Sequence, residues 1–295
     1  MDGILCVDKP QEMTSFSCCA LLRRLTGEKK VGHAGTLDPM ATGVLPLMFG
    51  KATRAIPLLP THDKRYHATL QFGKHSDTLD IWGNVTETGH ALPTVEAIEA
   101  ALPAFRGEIL QVPPMMSALK KDGVRLYDLA RQGIEIKREA RPITIYSLEM
   151  VAYDADNGLL QLRCDCSAGT YIRTLCDDLG NLLGCGAVMT ALRRETAVGY
   201  ALSACLTPDE CRKAAEDGSL LGKILPVDTA FTMYPAVTVT AAQAMRFRNG
   251  GELSVDRVSG LPQDAETVRI YAPEQTFLGL GRADAEAVRV LRIFV

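Results

Sequence analysis

Residues 32–50 read GHAGTLDPMATGVLPLMFG and include a single acidic residue, Asp38. Two interpretations of Asp38 are open. Aspartate followed by proline is favoured at the start of a helix, so Asp38 and Pro39 could form an N-cap. Alternatively, the glycines of the stretch let a bulky ligand approach the backbone closely, and Asp38 is then a lone carboxylate on the floor of a cleft.

A lone carboxylate restricts the chemistry that such a cleft can perform. Hydrolysis of a glycoside by two acids would need a partner acid, which the stretch lacks. Nucleophilic or general-base catalysis needs only one carboxylate, provided that a basic residue keeps it ionised. The second interpretation of Asp38 therefore predicts a basic partner elsewhere in the chain.

Composition is that of an ordinary globular protein, with 295 residues, 47% hydrophobic and 23% charged, and it fits one large domain or two ordinary ones. No run approaches the about 18 apolar residues of a membrane span, and the start MDGILCVDKP does not resemble a secretory signal. We therefore expect a cytoplasmic protein with no membrane segment. The nine cysteines include no C-x-x-C pair, which favours buried reduced thiols over a metal site.

Basic residues are concentrated in the first half of the chain, although the net charge is −3. Residues 51–75 carry five basic residues and one acidic residue, and residues 117–143 carry seven and four. Residues 203–295 carry ten basic and twelve acidic residues. The basic stretches are either ordinary solvated surfaces or contacts for the phosphates of a nucleic acid.

The order of elements predicts an α+β fold. Alternating apolar and polar residues over 66–72 indicate a strand, and similar patterns indicate strands over 148–153 and 159–166. Apolar spacing over 172–183 indicates a helix. Because strands and helices mix without βαβ alternation, we expect a mixed, mostly antiparallel central sheet with flanking helices.

We divide the chain into a catalytic domain, residues 1–232, and a small β-rich domain, residues 235–295. In the second domain a capped helix is followed by three strand-like runs. These runs could form a small barrel or an extension that packs on the main domain.

Several segments resemble, in the same order, the motifs of the bacterial tRNA pseudouridine-55 synthases, the TruB family. The segments are GILCVDKPQEMTS at 3–15, VGHAGTLDPMATGVLPL at 31–47, KRYHATLQFG at 64–73, SDTLDIWG at 76–83, QVPPMMSALK at 111–120, RQGIEIKREARPI at 131–143, CSAGTYIRTLCDDLG at 166–180 and ALRRE at 191–195. The C-terminal domain resembles the family's PUA-like RNA-binding tail only loosely, through FLGLG at 277–281.

The resemblance implies the pseudouridine-synthase fold, with an insertion at about 115–141 that grips the T arm of tRNA. It implies an isomerase that flips the T-loop uridine at position 55 of tRNA into its site and converts it to pseudouridine. Such an enzyme needs no cofactor, no metal and no protein partner, and we expect a monomer.

The resemblance also implies three catalytic residues. Asp38 attacks C1′ of the ribose or removes the C2′ proton, and Arg173 lies beside it and keeps it ionised. Tyr66 stacks on the target base and takes or gives a proton near C5. Without the resemblance, Arg173 could instead pair with Asp177 on a helix surface, and Tyr66 could be a core residue.

Tyr171, Leu192 and Asp80 match positions near the base in this family. Tyr171 and Leu192 line the uracil pocket, or they are ordinary core residues. Asp80 hydrogen-bonds the base or orients Arg173, or it is simply a turn residue.

His33 and Lys9 complete the expected substrate-binding set. His33 fills the space that the flipped nucleotide leaves, and its ring offsets part of the cost of unstacking. Lys9 belongs to the opening motif. Two positions depart from the family pattern: Met116 stands where tyrosine is usual, and Ala34 where glycine is usual.

Two other functions remain open at this stage. One is a guide-RNA-dependent synthase of the same superfamily, which usually carries longer extensions at both termini. The other is a tRNA-folding chaperone without essential chemistry. The presence of Asp38, Tyr66 and Arg173 together favours an active enzyme.

Overall fold

The computed structural model describes residues 1–121 and 123–295. Within these residues the chain forms the α-helices α1 (Ser15–Thr26), α2 (Val95–Ala101), α3 (Leu126–Arg131), α4 (Ile172–Leu182), α5 (Pro208–Glu216) and α6 (Ala241–Arg248). The strands are β1 (Gly3–Lys9), β2 (Val31–His33), β3 (Thr42–Phe49), β4 (Lys64–Phe72), β5 (Lys74–Ser76), β6 (Val85–Glu87), β7 (Gly107–Gln111), β8 (Lys120–Lys121), β9 (Val124–Arg125), β10 (Arg141–Asp154), β11 (Leu159–Cys166), β12 (Ala187–Ala197), β13 (Tyr200–Ala201), β14 (Cys205–Leu206), β15 (Ala236–Thr238), β16 (Leu253–Ser254), β17 (Thr267–Tyr271), β18 (Phe277–Ala283) and β19 (Ala287–Ile293).

The central sheet has the order β14-β1-β3-β12-β4-β11-β10-β7, with β2 beside β3 and β13 beside β12. Only the β1–β14 and β3–β12 pairs of this sheet are parallel among the described residues. The predicted α+β class, with a mostly antiparallel sheet, is therefore confirmed. The strands predicted over 66–72, 148–153 and 159–166 lie in β4, β10 and β11.

The main hydrophobic core lies on one face of the central sheet. Helices α1, α2, α4 and α5 cover this face, and their buried side chains pack on apolar residues of the strands. Thr14 caps α1, and Thr207 and Glu210 form a capping box at the start of α5. Among the described helices, none has the length and apolar character that crossing a bilayer requires.

The C-terminal residues form a separate five-stranded sheet of order β15-β17-β18-β19-β16. This sheet and α6 enclose a core of their own, which includes Phe247 and Ile270. A second hydrophobic cluster packs the C-terminal unit against the face of the central sheet that the helices do not cover. In this cluster Phe231 packs against Phe294, with 5.7 Å between their ring centroids. The C-terminal unit thus has its own core and also packs on the main sheet.

The connection between β7 and β10 leaves the sheet and returns to the same end of it. Gln111 at the end of β7 pairs with Arg141 at the start of β10. The connection contains the β8–β9 hairpin and α3. The segment that the sequence predicts to be an insertion, 115–141, is therefore an excursion between two neighbouring antiparallel strands.

A close approach fixes the start of β3 against β12. Gly43 is in register with Arg194, and its φ is +106°. A Cβ at this position would lie 2.2 Å from the carbonyl oxygen of Arg194. Only glycine permits both the conformation and the contact.

We expect Gly43→Ala to lower the free energy of unfolding by more than about 3 kcal/mol, because backbone would collide with backbone. Gly89→Ala is the matched control: its φ is +71° and a Cβ would meet no atom within 4 Å. The control should lose only about 1–2 kcal/mol, the cost of the left-handed conformation. Urea unfolding measures both, and equal losses would contradict the steric argument.

Candidate active site

Asp38 lies in the loop that joins β2 to β3. Its carbonyl oxygen accepts a hydrogen bond from the backbone N–H of Ala41 at 3.0 Å, which closes a turn, and β3 begins at Thr42. No helix follows, so the N-cap interpretation of Asp38 is wrong. Ser15, at the start of α1, exchanges two hydrogen bonds with the backbone of Leu37 at 2.9 and 3.1 Å and holds the residue next to Asp38.

Arg173 reaches Asp38 from the first turn of α4. Its Nε donates to Asp38 Oδ2 at 2.9 Å, and its Nη2 lies 2.9 Å from the same oxygen. The side chain is only 5% exposed. Asp177, the alternative partner on the helix surface, instead accepts a hydrogen bond from Asn181. The helix-surface interpretation of Arg173 is therefore wrong.

The guanidinium of Arg173 also contacts three other groups. Nη1 donates to the carbonyl oxygen of Thr78 at 3.0 Å, and Nη2 donates to that of Met116 at 2.8 Å. Asp80 Oδ2 lies 3.8 Å from Nε. One buried cation therefore lies between two carboxylates, which compensate for its removal from water.

Asp80 is buried and held by the turn that follows β5. Its Oδ1 accepts hydrogen bonds from the Thr78 hydroxyl at 2.8 Å and from the backbone N–H of Trp82 at 3.0 Å. Its Oδ2 faces Arg173. The geometry thus fits a residue that orients Arg173, and the same carboxylate also closes the turn.

The two oxygens of the Asp38 carboxylate have different environments. Both contacts from Arg173 fall on Oδ2, while Oδ1 accepts no hydrogen bond from the described residues. The side chain is 38% exposed. Asp38 therefore presents one fixed oxygen and one free oxygen to an incoming ligand.

Tyr66 and Leu192 come from neighbouring strands on the face that carries the main core. Tyr66 in β4 is in register with Arg194 in β12. Leu192 lies two residues before Arg194 in the same strand, so its side chain points to the same face as that of Arg194. Both side chains are buried. Burial raises the pKa of Tyr66 to about 12, so the phenol is protonated at neutral pH.

Tyr171 immediately precedes α4 and is fixed through its backbone. Its N–H donates to Gln111 Oε1 at 2.8 Å, and Gln111 Nε2 donates back to its carbonyl oxygen at 3.1 Å. Burial raises the pKa of the Tyr171 phenol. Sequence reasoning missed Gln111, a buried amide at the end of β7 that sets the start of the helix carrying Arg173.

Lys9, at the end of β1, is completely buried. Its ammonium donates to the carbonyl oxygens of Pro10, Met13 and Pro39 at 2.9, 2.7 and 3.3 Å. Pro39 directly follows Asp38. Burial lowers the pKa of Lys9 from 10.5 to about 8. In this position Lys9 supports the loop of Asp38 through its contact with Pro39.

Arg194 supports the other side of the same loop and was missed from the sequence. Its side chain is completely buried. It donates to the carbonyl oxygens of Val44, Thr36 and Gly35 at 2.8, 3.2 and 3.1 Å. The strand alternation was the available signal, because Arg194 lies on the same face as the buried Leu192 and must find partners there.

His33, at the end of β2, is half-buried. Burial, with a smaller contribution from Arg194, lowers its pKa, so the ring is neutral at pH 7. Its Nδ1 is buried and makes no hydrogen bond to the described residues. A neutral ring fits stacking better than proton transfer.

The fold and the site place the chain among the pseudouridine synthases. The family models described as the TruB family pseudouridylate synthase N-terminal domain, the tRNA pseudouridylate synthase B C-terminal domain and the pseudouridine synthase II TruB C-terminal domain match residues 23–172, 173–232 and 235–294. The chain belongs to the TruB family.

Full-length relatives and a solved structure agree with this assignment. The tRNA pseudouridine synthase B of Pasteurella multocida is 43% identical, over 98% of this chain and 93% of the relative. That of Clostridium acetobutylicum is 39% identical, over 99% of both chains. A chain in the crystal structure of a Cbf5–Nop10–Gar1 complex matches with a TM-score of 0.74 at 26% identity, covering 99% of this chain and 85% of that chain.

We expect the burial of Lys9 to appear in the pH dependence of stability. Between pH 8 and 10.5 the unfolded chain holds the lysine proton more tightly than the folded chain does. The free energy of unfolding should therefore rise with pH over this interval, by up to about 3 kcal/mol relative to Lys9→Met.

Urea unfolding of both proteins at several pH values between 7 and 11 measures this difference. Lys213→Met, which removes an exposed lysine of α5, is the control and should follow the wild type. Parallel curves for Lys9→Met and the wild type would contradict the expectation.

Proposed function

We propose that the protein converts the uridine at position 55, in the T loop of tRNA, to pseudouridine. The observation that carries the proposal is the Asp38–Arg173 pair, in which a buried arginine fixes one oxygen of a partly exposed carboxylate. Relatives about 40% identical over nearly the whole chain are tRNA pseudouridine synthases, which supports tRNA as the substrate.

Asp38 is the catalytic carboxylate in this proposal. Its free oxygen, Oδ1, attacks C1′ of the ribose or removes the C2′ proton, and either route breaks the bond between C1′ and N1 of uracil. The base then turns and C5 bonds to C1′, while the Oδ1–C1′ bond breaks in the first route or the proton returns to C2′ in the second. The C5 proton is lost and N1 gains one. Product and substrate are isomers, so these steps require no co-reactant.

Arg173 fixes Asp38, because its guanidinium carries the opposite charge and both of its contacts fall on Oδ2 at 2.9 Å. Asp80 balances the guanidinium from the other side and orients it. This arrangement supports a positioning role for Asp80 rather than direct contact with the base.

Tyr66, Tyr171 and Leu192 form the walls that receive the flipped base. The phenol of Tyr66 is protonated at neutral pH, so it takes part in proton transfer near C5 as a hydrogen-bond donor to the base rather than as a phenolate base. His33 replaces the stacking that the flipped nucleotide loses.

Lys9 takes a different role from the RNA contact expected from the sequence. It positions the loop of Asp38, since its ammonium is buried and already donates to three carbonyl oxygens.

Asp38→Asn tests the proposed reaction. The amide keeps the size of the side chain and an oxygen that can accept from Arg173, so folding and tRNA affinity should persist. It cannot attack C1′ or take a proton, so pseudouridine should fall below detection after long incubation with excess enzyme. Asp209→Asn, a change to an almost fully exposed carboxylate of α5, should convert tRNA like the wild type.

Chemical mapping of pseudouridine in the tRNA gives the position at the same time. A tRNA with cytidine at position 55 should remain unmodified. Substantial conversion by clean Asp38→Asn protein would refute the role of Asp38. Modification at another position would refute the assignment to the T loop and leave the chemistry intact.

Tyr66→Phe tests the phenol separately from the ring. The ring can still stack, so tRNA affinity should stay within about threefold of wild type. Loss of a proton-transferring group should slow conversion roughly 10²- to 10⁴-fold. Tyr200→Phe removes a buried hydroxyl in the cluster on the opposite face of the sheet and should convert normally. Single-turnover rates that match for Tyr66→Phe and wild type would reduce Tyr66 to a packing role.

A further inference from the structure

Trp82 is the only tryptophan in the sequence, and 49% of its surface is exposed. It lies in the turn between β5 and β6, next to Ile81, which is also exposed. Large apolar side chains side by side on a surface are unfavourable in water and often mark a contact surface. Trp82 contributes its backbone N–H to the hydrogen bonding of Asp80, but neither side chain of this pair has a role in the active site described above.

The turn that carries Trp82 is rigid. Asp77 accepts two hydrogen bonds from Asn84, from the backbone N–H at 2.8 Å and from the side-chain amide at 2.7 Å. Gly83 is packed so tightly that a Cβ would lie 2.3 Å from oxygens of Asp77 and Thr78. The backbone at Trp82 is therefore fixed before any ligand arrives, which lowers the entropic cost of binding.

The same turn is part of the active site. The carbonyl oxygen of Thr78 accepts from Arg173 at 3.0 Å. The carboxylate of Asp80 accepts from the backbone N–H of Trp82 at 3.0 Å with one oxygen, and its other oxygen lies 3.8 Å from Arg173. The carboxylate of Asp80 thus links the backbone of Trp82 to Arg173, the residue that fixes Asp38.

An exposed indole at the edge of an RNA-modifying site has a specific use. Unpaired bases in RNA loops are recognised by stacking on aromatic side chains. When the target nucleotide leaves its loop, the neighbouring bases lose a stacking partner. An indole carried on this fixed backbone offers a replacement surface that tolerates any base identity.

We propose that Trp82 stacks on an unpaired nucleobase of the substrate RNA, next to the base that is isomerised. This inference rests on the proposed function, since it takes the ligand to be a structured RNA with a flipped uridine. Trp82 has no part in the bond-breaking step, so its contribution lies in substrate affinity.

Because Trp82 is the only tryptophan, its intrinsic fluorescence reports directly on the contact. Titration of the full chain with a T-arm stem–loop RNA should quench the fluorescence. The quenching should saturate with the Kd obtained from filter binding at the same salt concentration. A saturable filter-binding curve without a change in fluorescence would overturn the proposal.

Substitution gives the energetic test. Trp82→Ala should weaken RNA affinity and raise KM by roughly 5- to 150-fold, the range for loss of one stacked base. Its kcat at saturating RNA should stay within about threefold of wild type. Trp82→Phe keeps an aromatic face and should recover most of the affinity, which a loss of folding would not explain.

Leu182→Ala is the matched control. Leu182 is an exposed apolar residue at the far end of α4 from Arg173, and its removal should leave KM unchanged. Equal KM values for Trp82→Ala and wild type would overturn the proposal. So would concentration-dependent dimerisation that only Trp82→Ala abolishes, because the surface would then join two copies of this chain.

These experiments distinguish a failure of RNA stacking by Trp82 from an absence of pseudouridine formation. If the wild type forms pseudouridine but Trp82→Ala has wild-type KM and affinity, only the stacking proposal fails. If the wild type forms no pseudouridine in the stem–loop or in tRNA, the proposed function fails, and quenching with a matching loss of affinity would still support Trp82 as an RNA contact.

Discussion

The guanidinium of Arg173 joins four separate parts of the chain at one point. Besides its own helix α4, it contacts the loop of Asp38, the turn of Thr78 and Asp80, and the β7–β10 connection at Met116. A buried cation is tolerated only where acceptors surround it. The acceptors here come from three segments besides α4, so the site forms only when these parts of the domain have folded together.

The loop of Asp38 is held from behind by two further buried cations. Lys9 and Arg194 donate to six backbone carbonyl oxygens around the loop, and neither forms an ion pair within the described part of the chain. Carbonyl dipoles satisfy their hydrogen bonds but leave their charge unbalanced. The site is therefore locally positive in a chain with a net charge of −3, which favours the approach of an anionic nucleic acid.

The sequence predicted most of this arrangement, and its failures have physical causes. Periodicity located β4, β11 and α4, and the family motif brought Asp38, Tyr66 and Arg173 together. The pattern did not reveal β3, since its stretch contains glycine and proline, which are uncommon in central strands.

The structure explains why Pro46 is tolerated in β3. Its carbonyl oxygen accepts from the N–H of Ala34 at 2.9 Å, just beyond the end of β2. Its nitrogen therefore also faces the β2 side, at the end of that short ladder, so the ladder between β3 and β1 loses no hydrogen bond. Arg194 was missed in β12 because it is a charged residue on the buried face of a strand, where sequence reasoning expects an apolar one.

The departure at Met116 shows which features of the site depend on side-chain identity. Arg173 contacts the backbone carbonyl oxygen of Met116 rather than its side chain, and any residue can supply that acceptor. What the contact requires is the path of the β7–β10 connection, which is set where Gln111 pairs with Arg141. A displacement of this connection would remove an acceptor from the guanidinium that fixes Asp38. The position of the exposed, charged β7–β10 connection is thereby coupled to the hydrogen bonding of Arg173. Through Arg173 it is also coupled to the orientation of Asp38, the single carboxylate in residues 32–50.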